Sequence, residues 1–409
     1  MSVDKLVDST QLDSDLTSVA DAIRAKSGGS SQLAFPAGFV SEIGNIPSGT
    51  PARTKWYRPP DWPDITSLTF PANHGGYYTI DANLLTNRTF AVHNTSSGSY
   101  RVCKIGHIEN GAFVVDTDYS NPDIAEITIP ANLGRYPIMY LQGGVSGGGG
   151  NAPLVIQPPY VPIVEAYLKN NGSYWPFDPL TLVSLYNLKA ITITGIITLS
   201  NNPRYWPLTI EHIRIAGDIR LEVGFRNLFL NEYCLVDTDI EPTNTIVLSS
   251  TGNNNYPKEM YRNCYAIKRI DLSFCSAEYL SDLATTFDGC YSLEDLDLSG
   301  WDMSGCVTSA SCQYLFRNCK SLKNLTLNNA ILPTYSISFA QSSLLANSSL
   351  VHIANALPIG SYTLTLHAMP KAACSTIMGV VADGVFTEDA SGTVTLADFI
   401  TTVKGWTLA

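Results

Sequence analysis

The chain has 409 residues, 45% apolar and only 15% charged, with a formal net charge of −11. That is long and apolar enough for two or three domains with real cores, which excludes a disordered chain. The acidic balance, without clustered Lys and Arg, excludes nucleic acid as an expected partner.

Ser, Thr, Asn, Gly and Tyr fill the place of charged residues, so the expected surface is neutral and rich in hydroxyls and amides. No stretch approaches the roughly 18 apolar residues of a membrane span. The opening "MSVDKLVDSTQLDSD" has no apolar run behind a basic start. No membrane insertion and no export signal are expected, and assembly is expected in a cytosol.

Residues 1–50 read as a small helical module. Leu12, Leu16, Val19, Ala20 and Ile23 fall at helical spacing, Asp13 or Ser14 can cap the start, and the glycines of "SGG" at 27–29 end the helix. So short a unit buries little alone, so its stripe is expected to dock or oligomerise. Residues 51–142 open with the Pro- and Trp-rich "PARTKWYRPPDWPD" and continue as short alternating strands such as "YYTID", "RTFAVHN" and "YRVCKIGHI". "PDITSLTFPANHGGYYTI" at 63–80 is echoed by "PDIAEITIPANLGRYPIM" at 122–139, and the block reads as a β-sandwich-like domain. "GGVSGGGGNAP" at 143–153 reads as a Gly-rich linker.

From 154 to 370 a solenoid is expected. Its beat is L-x-x-L-x-L, at Ile267, Ile270, Leu272, then Leu293, Leu296, Leu298, then Leu322, Leu325, Leu327. Looser copies are Leu188, Ile191, Ile193 and Ile210, Ile213, Ile215, with a degraded one at Leu350 and Ile353. The strong copies are 26 and 29 residues apart (293 − 267; 322 − 293), at the top of the leucine-rich-repeat range. Cys264, Cys290 and Cys319 hold one position of "RNCYAIKRIDLS", "DGCYSLEDLDLS" and "RNCKSLKNLTLN". They read as small buried apolar groups, packed with the upstream Tyr261, Phe287 and Phe316, and not as disulfide halves. Residues 371–409 differ in pattern and read as a C-terminal cap of helix, strand pair and helix.

The N-C-x-x-L-x-x-L-x-L-S tract, with "WDMSGCVTSASCQYLFRNCKSL" between copies, resembles the BspA-like leucine-rich repeats of bacterial surface and phage proteins. "TLADFITTVKGWTLA" resembles the A-x-x-K-G-W ending common on such proteins. "LDSDLTSVADAIRAKSGGSSQLAFPAGFVSEI" resembles an N-terminal module of tail and baseplate-associated proteins from phages and prophages of gut Firmicutes. The resemblance implies a virion tail-fibre or receptor-binding protein, often a homotrimer. Its partners would be other tail or baseplate proteins and a glycan or protein of the host cell surface.

Signals for catalysis are weak beside their structural readings. Gly144-Val145-Ser146-Gly147-Gly148 fits G-x-S-x-G, but the glycines that follow would not start a helix, so a linker is expected. Asp116, Asp118 and Ser120 have the spacing of a calcium loop without its glycine and closing Glu, so a polar turn is expected. The six His form no H-x-x-H pair. No catalytic residue, metal or cofactor is expected.

Candidate ligand-binding residues lie on the repeats. "SYWPFDP" and "RYWPLT" share Tyr-Trp-Pro, 31 residues apart, so Trp175, Tyr205 and Trp206 are either sugar platforms or rings closing turns of the core. Between and before the buried strand positions, period-two alternation turns Thr192, His212, Arg214, Arg269, Asp271, Asp295, Asp297, Asn324 and Thr326 outward. That ladder suits hydrogen bonding to glycans or a polar epitope, or it is simply a solvated face. The expected function is non-enzymatic host recognition by a phage tail protein; the alternatives are a bacterial surface adhesin and, behind it, a glycan depolymerase.

Overall fold

The computed structural model describes residues 59, 61–71, 75–81, 86–94, 102–120, 124–131, 135–142, 145–146, 150–151, 154–157, 163–171, 185, 187–199, 206–221, 225–249 and 257–409. It is mostly β, about 12% helical, and its C-terminal region is a β-solenoid of about seven turns. The helical module expected at 1–50 lies outside the described residues.

The alternating segments form β1 (Gly75–Ile80), β2 (Arg88–Asn94), β3 (Val102–Glu109), β4 (Ala112–Asp118), β5 (Ile124–Ile129) and β6 (Ile138–Gln142). β7 (Val145–Ser146) and β8 (Gly150–Asn151) make a two-residue antiparallel pair inside the segment expected as a linker. β9 (Leu154–Gln157) joins β2 and β5 in a small antiparallel sheet. Phe90, Ile127 and Ile129 of that sheet share a core with Tyr78, Ile80, Met139 and Leu141 of β1 and β6, so two β layers face each other.

β10 (Ile163–Asn171) is the seam of the molecule. It pairs antiparallel with β1 and parallel with β11 (Ala190–Leu199), which continues into β12 (His212–Leu221) and β13 (Asp237–Pro242). One eight-stranded sheet, in the order β13-β12-β11-β10-β1-β6-β3-β4, therefore runs across the 143–153 segment. The expected division between a middle β-block and a solenoid does not fall between separate sheets. On the outer face, Ile65 and Leu68 cover Tyr77, Ile138 and Tyr140, and Phe70 meets Tyr167 of β10 at 4.7 Å.

Beyond β13 the strands shorten. β14 (Ile246–Ser249) pairs with β16 (Cys275–Glu278), and β15 (Arg269–Ile270) with β17 (Asp295–Asp297), which pairs with β18 (Asn324–Thr326), all parallel. Leu296 lies opposite Ile270 and Leu325, so the L-x-x-L-x-L leucines sit on adjacent rungs of one core. Before each strand the chain makes two turns, held by left-handed residues at Asn263, Gly289 and Asn318 with φ of 63°, 81° and 65°. Asn and Gly tolerate that region best, and at Gly289 a Cβ would lie 2.6 Å from Asn263 Oδ1. Asp271 and Asp297 each accept the backbone N–H two residues on, at 2.9 Å, and so close the turn after their strand.

The stack is terminated. Helix α1 (Ser309–Cys312) lies within a turn, and helix α2 (Asn347–Ala356) covers the edge of β18. Leu350 and Ile353, expected as a degraded strand, are buried on α2, because a spacing of three suits a helix equally. The Ser349 hydroxyl of α2 accepts the Leu325 N–H at 2.8 Å and donates to the Lys323 carbonyl at 2.9 Å, so the edge strand is satisfied without another strand. β19 (Ile337–Phe339) and β20 (Thr363–Leu366) follow, then helix α3 (Ala368–Cys374) and the hairpin β21 (Met378–Ala382) to β22 (Val385–Glu388). After β23 (Val394–Thr395) and a helical segment at 396–403, β24 (Thr407–Leu408) pairs parallel with β20.

Phe287 sits between the rings of Tyr261 and Phe316 and is 1% exposed. Phe287→Ala is expected to cost about 3–5 kcal/mol, read as a lower urea midpoint with an unchanged m-value.

Candidate functional site

The outer face of the large sheet is covered beside β1 and left to solvent toward β13. Register lines up Glu165, Ala190, His212 and Asp237; next to them Tyr167, Thr192, Arg214 and Asp239; then Lys169, Thr194, Ala216 and Glu241. The polar members pair across the rungs. His212 Nδ1 lies 2.9 Å from Asp237 Oδ1, and Lys189 bonds Glu211. Arg214 reaches Asp239 at 3.3 Å and also bonds Glu241.

The second ladder behaves alike. Arg269 Nε lies 2.7 Å from Asp295 Oδ2, and the Asn324 amide donates to the other Asp295 oxygen. Thr326 lies opposite Asp297 on β18. Thus Arg214, Arg269 and Asp295 are engaged by neighbouring turns, while Asp271 and Asp297 use a carboxylate oxygen in turn formation. The ladder is a set of cross-rung pairs with one solvent side, not a row of free groups.

Trp206 is not the exposed platform that one reading expected. It is 4% exposed, its indole N–H donates to the Leu228 carbonyl at 2.8 Å, and its ring meets Phe229 at 6.3 Å. It starts an interior column, Trp206–Phe229–Tyr261–Phe287–Phe316–Phe339, with centroids 4.6–6.3 Å apart. Core closure, the other reading, accounts for it. Trp175 and Tyr205 lie outside the described residues.

Beside the column, three residues after each ring, runs a line of polar anchors. The thiols of Cys264, Cys290 and Cys319 donate to the carbonyls of Phe229, Tyr261 and Phe287 in the preceding turn, at 3.0, 3.2 and 3.1 Å. Burial pushes all three thiols up, so they stay protonated donors. Ser342 takes the same place after Phe339 and donates to the Cys319 carbonyl at 3.0 Å. In the turn of Phe229 the place belongs to Glu232, 4% exposed, whose Oε2 has no hydrogen-bond partner. Desolvation pushes its carboxyl up to about 8, opposed only in part by a hydrogen bond from the Trp206 backbone.

Sequence reasoning missed a charge code. The residue two before each cysteine is Arg262, Asp288 and Arg317 in turn. Asp288, 2% exposed, bonds Arg317 through both oxygens (Nε to Oδ1 2.9 Å) and lies 4.0 Å from Arg262 Nε. The alternating sign from copy to copy was the available signal.

The calcium-like spacing resolves into paired groups. Asp116 meets His107 at 3.0 Å and Arg135 at 2.9 Å. Asp118 accepts from Ser120 and faces Lys104 at 3.5 Å, and the Ser120 hydrogen bonds hold its carboxyl low. Among the described residues no group of three or more His, Cys, Asp or Glu is placed to hold a metal ion.

Two outcomes follow from these environments. For Glu232 both states are protonated below pH 4.5; from there to about 8 only the unfolded chain loses its proton. Stability therefore falls across that window, by about 4 kcal/mol at roughly 1.4 kcal/mol per pKa unit. Urea midpoints at pH 5 and 8.5 should show the fall in the parent and a flat profile in Glu232→Gln. Asp288→Ala, which strands two arginines, should cost about 2–4 kcal/mol at pH 7, and Arg214→Ala, with its exposed partners, less than about 1 kcal/mol, by the same midpoints. Set against known family models, curated proteins and solved structures, the chain has no match.

Proposed function

We propose that this chain is a non-enzymatic receptor-binding component of a phage or prophage tail, which meets the bacterial host surface through the outer flank of its leucine-rich-repeat solenoid. The observation that carries the reading is the parallel register from β10 to β13 and from β15 to β18, which holds equivalent side chains in line over successive turns. A periodic polar flank suits a periodic or extended ligand. The resemblance of the first 50 residues to a tail-associated module supports docking to tail or baseplate proteins, with a homotrimer as the assembly. The repeat solenoid suits a bacterial surface adhesin as well, and the particle on which the protein is found separates the two.

The test is a pull-down of the full-length protein with cell-wall polysaccharide and intact cells of gut Firmicutes, joined to mass spectrometry of purified virions. Retention on susceptible cells, presence in the tail fraction and a trimeric solution mass are expected. Presence on bacterial cells that carry no phage would favour the adhesin, and release of reducing sugar from the polysaccharide would favour the depolymerase.

A further inference from the structure

One exposed flank of the solenoid carries a feature that packing does not require. Directly after the anchor position of three successive turns stand Tyr233, Tyr265 and Tyr291, which are 41%, 39% and 36% exposed. Their rings follow one another at 4.8 and 5.0 Å between centroids. The next turn places Lys320 there, its Nζ 5.1 Å from the centroid of Tyr291, and the turn after that has Ser343. The fold therefore accepts a lysine or a serine at this position, so the aromatic rings are not needed to close the turn. The column of buried rings already does that.

Resting on the receptor-binding reading, we propose that Tyr233, Tyr265 and Tyr291, with Lys320 at their end, form a binding strip for an extended glycan strand bearing acidic groups. The spacing of the rings is the spacing of the turns, so only a ligand that repeats on a similar scale engages all three, as an extended polysaccharide does. A tyrosine offers an apolar face to the C–H side of a pyranose and a hydroxyl to its oxygens. Lys320 brings the cation that a uronate or phosphate substituent needs, on a chain whose net charge of −11 otherwise repels one. The rings carry binding energy and the lysine carries selectivity, so the two roles separate by mutation.

The experiment uses the full-length protein on an array of surface polysaccharides purified from gut Firmicutes, and in parallel on intact cells of the same strains. Each of Tyr233→Ser, Tyr265→Ser and Tyr291→Ser should weaken array binding about tenfold, and the triple variant should abolish it. Lys320→Gln should lose only the acidic members, and Lys320→Tyr, which adds a fourth ring, should strengthen the neutral ones. That gain is informative even where the triple variant fails to fold. A silent array, or a folded triple variant that binds as the parent does, overturns the strip. Cell attachment that survives both the triple variant and periodate oxidation of the cells points to a protein receptor, overturning the strip while leaving host binding intact. Array binding lost in the triple variant, with no attachment of the parent to any cell, supports the strip and overturns host attachment.

Discussion

No turn of this solenoid is complete until the next one docks on it. The carbonyl of Phe229 lies in the interior and receives a thiol from the following turn; those of Tyr261 and Phe287 are treated alike. The ring of each turn is covered by the ring of the next, and the backbone N–H of Asn263 reaches the Asp288 carbonyl across the same gap. A buried carbonyl or amide without such a partner costs about 1–3 kcal/mol, so isolated turns cannot persist and stability comes from the interfaces. Cysteine fits because its thiol donates one weak hydrogen bond while its volume stays small and apolar. Glu232 departs from that solution, since it places an ionisable group where a neutral donor is wanted.

Much of the stack was legible because its demands recur. The L-x-x-L-x-L spacing, the cysteine and the upstream ring each answer a position that every turn must fill, and period-two alternation assigned the strand faces correctly. Exceptions arose where one spacing serves two structures. Leu350 and Ile353 keep a repeat-like interval but lie on a helix, whose Ser349 satisfies the edge strand. The Gly-rich segment at 143–153 was read from composition, which says nothing of the pairing of β1 with β10 on either side of it.

The candidate site was legible only as a face. Alternation says that Arg214, Arg269 and Asp295 point outward, but the partner of each is some 25 residues away and becomes visible only when register is known. Arginines and carboxylates in line tend to find each other before they find a ligand, which leaves less of the ladder free than the sequence suggested. The Tyr-Trp-Pro pair misled for a related reason: indole burial depends on which turn needs a large ring, and Trp206 fills the first place in the buried column. The tyrosines at 233, 265 and 291 were present in the same repeated phrase, yet nothing local distinguishes an exposed ring from a packed one.

Because Ser349 and α2 seal the last parallel edge whatever lies before it, the number of turns is not set by how the molecule ends. Duplicating one unit of 26 to 29 residues would move the terminus outward by a single strand spacing of about 4.8 Å and lay down one more copy of the same flank. Such a chain can evolve its reach in equal steps, as a ruler is lengthened by whole divisions, without redesign of either extremity.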